Sequence, residues 1–258
     1  MPLARCLRHA ALALGLALSL ALLAAGPARA QPIPVAVGGY DFPPYVDEKG
    51  GLVHDLIALF NDAQSRYRFA FVGTTPQRRY QDMAEGRIDL IAFESLDWGW
   101  AGRPVEATAV FLEDAEVFVA RAAPGRGQAY FDNLAGKTLL GRLGYHYAFA
   151  DYDADPDSLA RRFNMRVTKS HEGNLLAVIA GRADLAIVTR SFLATWLKSR
   201  TGVAKDLLIS DRVDQTYRHT IVVRRGSPVD VATLDALLAE LRADGRLDAL
   251  WARAGLTR

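Results

Sequence analysis

Cysteine is almost absent from the 258-residue sequence, because the single one, Cys6, lies in an N-terminal leader that we expect to be removed. A mature chain without cysteine excludes disulfide bonds, thiol nucleophiles and thiolate metal ligands. No cysteine lies beside the expected cleavage point, so a lipid-anchored form is not expected. The apolar fraction of 50% suits a globular core that needs no disulfides.

The sequence also lacks an excess of charge of either sign. Without its first 30 residues it has 28 basic and 29 acidic side chains, a formal charge of −1. A pI near neutrality argues against a nucleic-acid-binding surface. The motifs Gly-x-Ser-x-Gly, His-Glu-x-x-His and the phosphate loop are absent as well. We therefore expect no metal, no cofactor and no nucleic-acid partner.

The leader itself is predicted from three features. Arg5 and Arg8 give a positive start, residues 10–25 are almost wholly apolar, and Ala28-Arg29-Ala30 is a small-x-small cleavage site. Together they predict a secretory signal peptide over residues 1–30, and hence a protein of the periplasm. The alternative is a membrane anchor, but the apolar run is short for a span of about 20 residues. The remaining 228 residues fit one large domain or two small ones.

The stretch from Gly38 to Tyr45 follows an apolar run, 33–37, that predicts a buried strand. Two glycines are expected to end that strand, and two consecutive prolines stiffen the loop after it. Ligands bind outside the carboxyl ends of strands in open α/β sheets, so the aromatics of this loop are predicted to form the wall of a small-molecule site. The alternative is a tight turn whose rings cap the core. These aromatics are Tyr40, Phe42 and Tyr45.

Strands and helices alternate along the rest of the chain, which predicts a parallel or mixed sheet with helices on its faces. Residues 85–91 resemble residues 180–186, each carrying a Gly-x-x-Asp turn between a helix and a strand. This favours two lobes of similar build, although helix–Gly–strand connections are common everywhere. The predicted strands are 33–37, 67–72, 88–93, 116–122, 138–140, 167–169, 185–189 and 216–223, and the predicted helices begin near residues 53, 77, 174, 191, 231 and 247.

Five segments occur in an order that resembles the periplasmic solute-binding proteins of amino-acid ABC transporters. These are Tyr40–Tyr45, Glu85–Ile91, Leu134–Thr138, Ala180–Asp184 and Leu241–Leu247. The chain thus resembles the type II periplasmic binding proteins, and within them bacterial extracellular solute-binding protein family 3. The resemblance implies two α/β lobes of mixed sheets flanked by helices, joined by a two-strand hinge. Lobe 1 would comprise 31–118 plus 214–258, and lobe 2 would comprise 119–213.

The implied function is capture of a small polar solute between the lobes, either amino-acid-like or another small carboxylate, for ABC-type uptake. The implied partners are that solute and an inner-membrane ABC permease, and a monomer is expected. In this family an aromatic residue before the prolines covers the ligand, which matches Phe42. The loop after the Gly-x-x-Asp strand supplies Ser or Thr and then an arginine for a carboxylate, which matches Ser95 and Arg103. Arg103 is alternatively a solvated charge beside Pro104.

Two positions depart from the family pattern. The aspartate that holds an α-ammonium group is replaced by Thr189, and Glu94 stands where a small residue is usual. Glu94 would replace that acceptor, repel a carboxylate, or be only a surface loop charge. A glutamate in an apolar cleft must be paired or protonated. These departures weaken the prediction of an ordinary amino-acid binder.

Further contacts are expected from Tyr145 and His146, on the loop that matches the ligand loop of the second lobe. A lone histidine is more often structural than a ligand contact. Trp98 is predicted either to stack on a ring or cation, or only to pack its loop.

Two rival functions remain open. The same architecture resembles periplasmic cyclohexadienyl dehydratases, in which Glu94 or His146 would act as the acid or base. The fold is also compatible with a periplasmic sensor or accessory protein that docks to another protein. No enzymatic activity is expected from the leading hypothesis.

Overall fold

The computed structural model describes residues 30–47 and 50–256. From Ile33 onward the chain forms one compact unit. The predicted leader lies outside the described residues except for Ala30. Within the described ranges, no helix combines the length and the apolar character that a membrane crossing requires.

Nine strands and seven α-helices alternate through the described part of the chain. The strands are β1 (Ile33–Gly39), β2 (Tyr67–Gly73), β3 (Leu90–Glu94), β4 (Val105–Ala107), β5 (Leu112–Arg121), β6 (Leu139–Arg142), β7 (Met165–Thr168), β8 (Leu185–Thr189) and β9 (Leu207–Arg224). The helices are α1 (Leu52–Ala63), α2 (Arg79–Ala84), α3 (Pro156–Phe163), α4 (His171–Ile179), α5 (Arg190–Ser199), α6 (Val231–Ala243) and α7 (Arg246–Arg253).

The strands form two mixed sheets that share the long strand β9. In the first sheet β1 is parallel to β2 and β3, while β3 and β4 are antiparallel to β9. In the second sheet β6 is parallel to β7 and β8, while β5 is antiparallel to β8 and β9. The register of β5 and β9 extends from Leu112↔His219 to Arg121↔Leu207. These two strands therefore connect the two halves of the fold.

The core follows from the sequence pattern of each element. Helix α1 buries Leu52, Leu56 and Phe60, which are four residues apart and so share one face. Strands β3 and β8 are buried at every position, as strands covered on both faces are expected to be. The predicted mixed α/β fold and the alternation of its elements are confirmed.

Some predicted boundaries are wrong, for identifiable reasons. Strand β9 begins at Leu207, nine residues before the predicted start, because its first half pairs with β5. Helix α3 was not predicted, although its start carries the usual signals: Pro156 is its first residue, and the Asp155 side chain accepts a hydrogen bond from the Ser158 backbone N–H. Strand β4 has only three residues and is too short for a pattern of its own.

The prediction that glycines end β1 after Val37 is also wrong, because the strand continues to Gly39. A Cβ atom at Gly38 would lie 2.7 Å from Cδ1 of Ile88, so glycine permits close packing inside the strand. Gly141 does the same in β6, where a Cβ atom would lie 2.8 Å from Cζ of the buried Tyr147.

Gly141→Ala is therefore expected to lower the free energy of unfolding by about 1–3 kcal/mol, because the new methyl group overpacks a buried ring. Urea denaturation measures the change. Gly127→Ala is the matched control, since a Cβ atom there meets nothing within 4 Å, and its effect should stay within about 0.5 kcal/mol. Equal losses in the two variants would contradict this account of Gly141.

Candidate functional site

Loops at the carboxyl ends of β1, β3 and β6 meet beside β9 around a small cavity with about 10 Å³ of free space. Both halves of the fold contribute to the wall. The lining residues are Tyr40, Phe42, Trp98, Gly144, Tyr145, His146 and Tyr217. Half of the predicted site residues thus surround one cavity: Tyr40, Phe42, Trp98, Tyr145 and His146.

The ring of Phe42 is the centre of the aromatic wall. Its centroid lies 4.8 Å from that of Tyr45, 5.7 Å from Trp98 and 5.2 Å from Tyr145. The contact with Tyr145 is edge-to-face, with an interplanar angle of 89°, and joins a loop of the first half to a loop of the second. Such pairs contribute about 0.5–1.5 kcal/mol each beyond area burial. Phe42 and Tyr145 therefore face the same crevice.

A buried ion pair lies behind Tyr40. The side chains of Arg79 and Glu94 are 1% and 0% exposed, with Arg79 Nε 3.2 Å from Glu94 Oε1. Trp100 Nε1 donates to the other carboxylate oxygen at 2.8 Å. The guanidinium lies over the rings of Tyr40 and Tyr80, at 5.1 and 4.2 Å. Glu94 is therefore a paired, buried charge, and the alternative of a surface loop charge is wrong.

Burial raises the pKa of Glu94, and the positive charge of Arg79 opposes that shift. The pair satisfies the condition that a buried carboxylate be paired or protonated. Because Arg79 and Trp100 occupy both carboxylate oxygens, Glu94 presents no free oxygen to a guest.

His146 connects the two halves through its ring. Its Nδ1 lies 2.7 Å from the Tyr152 carbonyl oxygen, which can only accept, so Nδ1 carries the proton. Nε2 then accepts from Nη2 of Arg79 at 3.3 Å. Burial, and after it the charge of Arg79, lower the pKa of His146 to about 4. The imidazole is thus neutral at pH 7.

A buried carboxyl group, that of Glu116, lies behind the cavity wall and is connected to it through Gln215. Trp98 Nε1 donates to Gln215 Oε1 at 3.1 Å, and Gln215 Nε2 donates to Glu116 Oε2 at 3.1 Å and to the His146 carbonyl oxygen. Glu116 is 0% exposed, and its second oxygen has no hydrogen-bond partner among the described residues. In register, Glu116 lies opposite Thr189 on β8 and Gln215 on β9.

The structure does not bring the other predicted residues to the cavity wall. Tyr45 is fully buried, and its hydroxyl donates to Asp114 Oδ2 at 2.7 Å. Ser95 is buried and accepts from the Asp97 backbone N–H at 3.4 Å. Thr189 is buried with Oγ1 3.4 Å from Nε2 of His171. These three support the wall from behind.

Arg103, predicted to hold a carboxylate, lies on the surface. Its Nε donates to the Gly99 carbonyl oxygen at 2.8 Å, and its guanidinium stacks over Tyr80 at 4.2 Å. It borders a separate depression between α2 and β4. The loop after β3 therefore carries this arginine away from the cavity.

Two further contacts join the halves at the mouth of the cavity. Arg142, at the end of β6, pairs with Asp41 of the loop after β1. Gly144 lies against Pro76, so close that a Cβ atom at Gly144 would overlap the proline ring. Both contacts lie beside the Phe42–Tyr145 pair.

Sequence reasoning missed Arg79, Glu116, Gln215 and Tyr217. A signal was available for Tyr217, because buried and exposed positions alternate along β9 from Gln215 to His219. Glu116 was visible as a charge directly before the apolar run 117–120 of β5. Nothing in the sequence marks Arg79, which precedes Tyr80 in a polar helix start.

Glu94→Gln is expected to lower the free energy of unfolding by about 3–5 kcal/mol, because it leaves the buried Arg79 charge without a counterion. The double variant Arg79→Met/Glu94→Gln should recover part of this loss in urea denaturation. Asp244→Asn breaks the exposed pair with Arg246 and should cost less than about 1 kcal/mol. A Glu94→Gln effect as small as that control would contradict a buried ion pair.

His146 should make stability depend on pH. Its folded-state pKa is about 4, below the ordinary value of about 6.5, so the unfolded chain binds more protons in this window. Stability from this group is full above pH 6.5 and falls as the pH drops toward 4, by about 1.4 kcal/mol per unit. In His146→Gln the loss of unfolding free energy between pH 7 and pH 5 should be about 2 kcal/mol smaller. An unchanged difference would contradict the lowered pKa.

Solved structures share this fold. A substrate-binding protein of an ABC uptake transporter from Streptococcus pneumoniae, with bound histidine, is 18% identical, with a TM-score of 0.67 over 85% of this chain and 91% of that one. A histidine kinase sensor domain with similarity to periplasmic binding proteins is 21% identical, with a TM-score of 0.63 over 87% and 97%. An ancestral amino acid-binding protein, a precursor of cyclohexadienyl dehydratase, is 16% identical, with a TM-score of 0.62 over 85% and 94%.

No sequence model of a protein family matches the chain, and no curated protein matches it in sequence. The likeness is therefore one of three-dimensional structure, and it covers most of the chain. Two sheets joined by β5 and β9, with an aromatic cavity between their loops, agree with it. The chain has the two-lobed type II fold of periplasmic binding proteins.

Proposed function

We propose that this protein captures a small polar solute in the cavity between its two halves, in the periplasm, and delivers it to an ABC permease. The observation that carries the proposal is the contact of Phe42 with Tyr145, which come from different halves and meet at 5.2 Å on one cavity wall. Aromatic surface with a few placed polar groups is the usual lining of small-molecule sites.

The geometry supports binding by closure. The cavity has only about 10 Å³ of free space, which is room for about one water molecule and far below the usual range of about 300–1,000 Å³ for ligand pockets. A solute would therefore enter only when the halves move apart. We propose lobes of 31–118 plus 214–258 and of 119–213. Strands β5 and β9 would then be the hinge. Closure removes water and strengthens each polar contact inside.

An acid–base enzyme is the second candidate, supported by the structural likeness to a dehydratase precursor. The site favours it less. Glu94 has both oxygens occupied by Arg79 and Trp100, and the ring nitrogens of His146 face Tyr152 and Arg79. Turnover of prephenate or arogenate by the purified protein would overturn this preference. A sensor or accessory role, for which the sensor-domain likeness speaks, would show as a solute-independent protein partner.

Thermal unfolding with a panel of amino acids, amines and small carboxylates tests the proposal. A solute that binds only the folded state at 100 times its Kd adds about 2.7 kcal/mol, which should raise the Tm by about 5–10 °C for a chain of this size. No shift with any compound across such a panel would contradict a solute-binding role.

The site assignment is tested by Phe42→Leu, which keeps an apolar side chain but removes the ring. It should weaken binding of any solute found by at least about tenfold, measured by calorimetry. Phe71→Ala is the control, because Phe71 is an exposed aromatic residue on β2, and it should leave the affinity unchanged. Equal affinities of both variants and the parent protein would place the solute elsewhere.

A further inference from the structure

The charge around the cavity is the starting point. None of the seven lining residues is charged at pH 7, since the pKa of His146 is lowered to about 4. The nearby arginines are engaged: Arg79 with Glu94, and Arg142 with Asp41. A solute carboxylate would therefore find no unpaired cation among the described lining residues, and it would meet the electron-rich faces of aromatic rings.

A carboxyl group without a cationic partner, in contrast, lies behind the wall. Glu116 is fully buried and hydrogen-bonded to the neutral Gln215, and no cation among the described residues pairs with it. Burial raises the pKa of Glu116 well above its ordinary value, so a cation that entered the cavity would supply the missing counter-charge. Burial, and after it the negative charge of Glu116, raises the pKa of Tyr217 well above its ordinary value. Glu116 is thus electrostatically close to a ring that lines the cavity.

Two further carboxyl groups, those of Asp114 and Asp214, lie on the same pair of strands, and burial raises the pKa of both. Asp214 accepts from two backbone N–H groups, those of Ala148 and Phe149, at 2.8 and 3.0 Å. Asp114 accepts from the hydroxyls of Tyr45 and Ser191. Both groups have neutral donors only. A cation held by the rings would favour the ionised form of these carboxyl groups, because charge interactions at this depth are weakly screened by water.

The ring geometry is suited to a cation. Aromatic walls bind organic ammonium groups through the negative faces of their rings. Tyr40, Phe42, Trp98, Tyr145 and Tyr217 line a single small cavity. Arg79 already shows this chemistry locally, because its guanidinium lies over Tyr40 and Tyr80.

We propose that the solute is a small organic cation, a primary or quaternary amine that needs no carboxylate, and that Glu116 is the residue that selects its charge. This inference rests on the proposed solute-binding function. Glu116 acts through the wall as a positioning and charge-balancing residue.

Three small probes, of which the first two have the same size, test the inference on the chain without its leader. Choline carries a quaternary ammonium, 3,3-dimethylbutan-1-ol has the same shape without the charge, and propionate carries the opposite charge. We expect choline to raise the Tm and to bind in calorimetry at least about tenfold more tightly than the neutral alcohol. Propionate should give no signal.

Glu116→Gln should weaken choline binding by at least about tenfold while leaving the weak affinity for the neutral alcohol unchanged. A purely structural role of Glu116 would instead lower both affinities together. Glu113→Gln is the matched control, since Glu113 lies on the same strand with its side chain exposed, and it should bind choline like the parent protein. If Glu116→Gln does not fold, the comparison of the three probes on the parent protein still decides the charge.

The outcomes separate this inference from the function on which it rests. Equal binding of choline and the neutral alcohol, or binding of propionate or amino acids with no binding of amines, would overturn the inference and leave solute capture intact. If none of the three probes binds, and no amino acid, amine or carboxylate of the panel binds, both the inference and the proposed function are overturned.

Discussion

The antiparallel pairing of β5 with β9 is the constraint on which the rest of the structure depends. The two strands belong to both halves of the fold, and they carry the side chains that lie beneath the cavity. Glu116 and Gln215 are opposite each other in this register, and Tyr217 follows on the same face of β9, two residues further. A shift of one residue would turn each of these side chains to the other face of the sheet.

The fold was predictable from the sequence because its evidence is local and repeated. The alternation of elements, the Gly-x-x-Asp turns and the Pro-Pro loop each gave a correct element. The candidate site was predictable only in part. Tyr40, Phe42 and Trp98 lie in loops that directly follow strands. Arg79 instead lies on a helix of six residues, and its burial depends on the ion pair with Glu94 of β3. Long-range pairing of charges leaves no periodic mark in a sequence.

Arg103 shows the opposite error. Its place in the order of segments suggested that it binds a carboxylate, but the loop after β3 carries it to the surface, where it stacks on Tyr80. The sequence pattern singled out the aromatic loop and Glu94 as unusual, but the role of Glu94 could not be assigned without its partner, Arg79. Because Glu94 pairs with Arg79, its role is structural. In the proposed function the aromatic rings contact the solute, and Glu116 selects its charge.

The meeting of Gly144 with Pro76 has a consequence for how far the halves approach each other. At that point the limit is set by main chain against a proline ring, neither of which can rotate aside. In the closure proposed above, this contact would be a fixed stop, and the backbone would set the width of the closed crevice. A substitution of Gly144 or Pro76 would change how readily the empty protein closes, and so its apparent affinity. It would do so without changing any aromatic ring that contacts the solute.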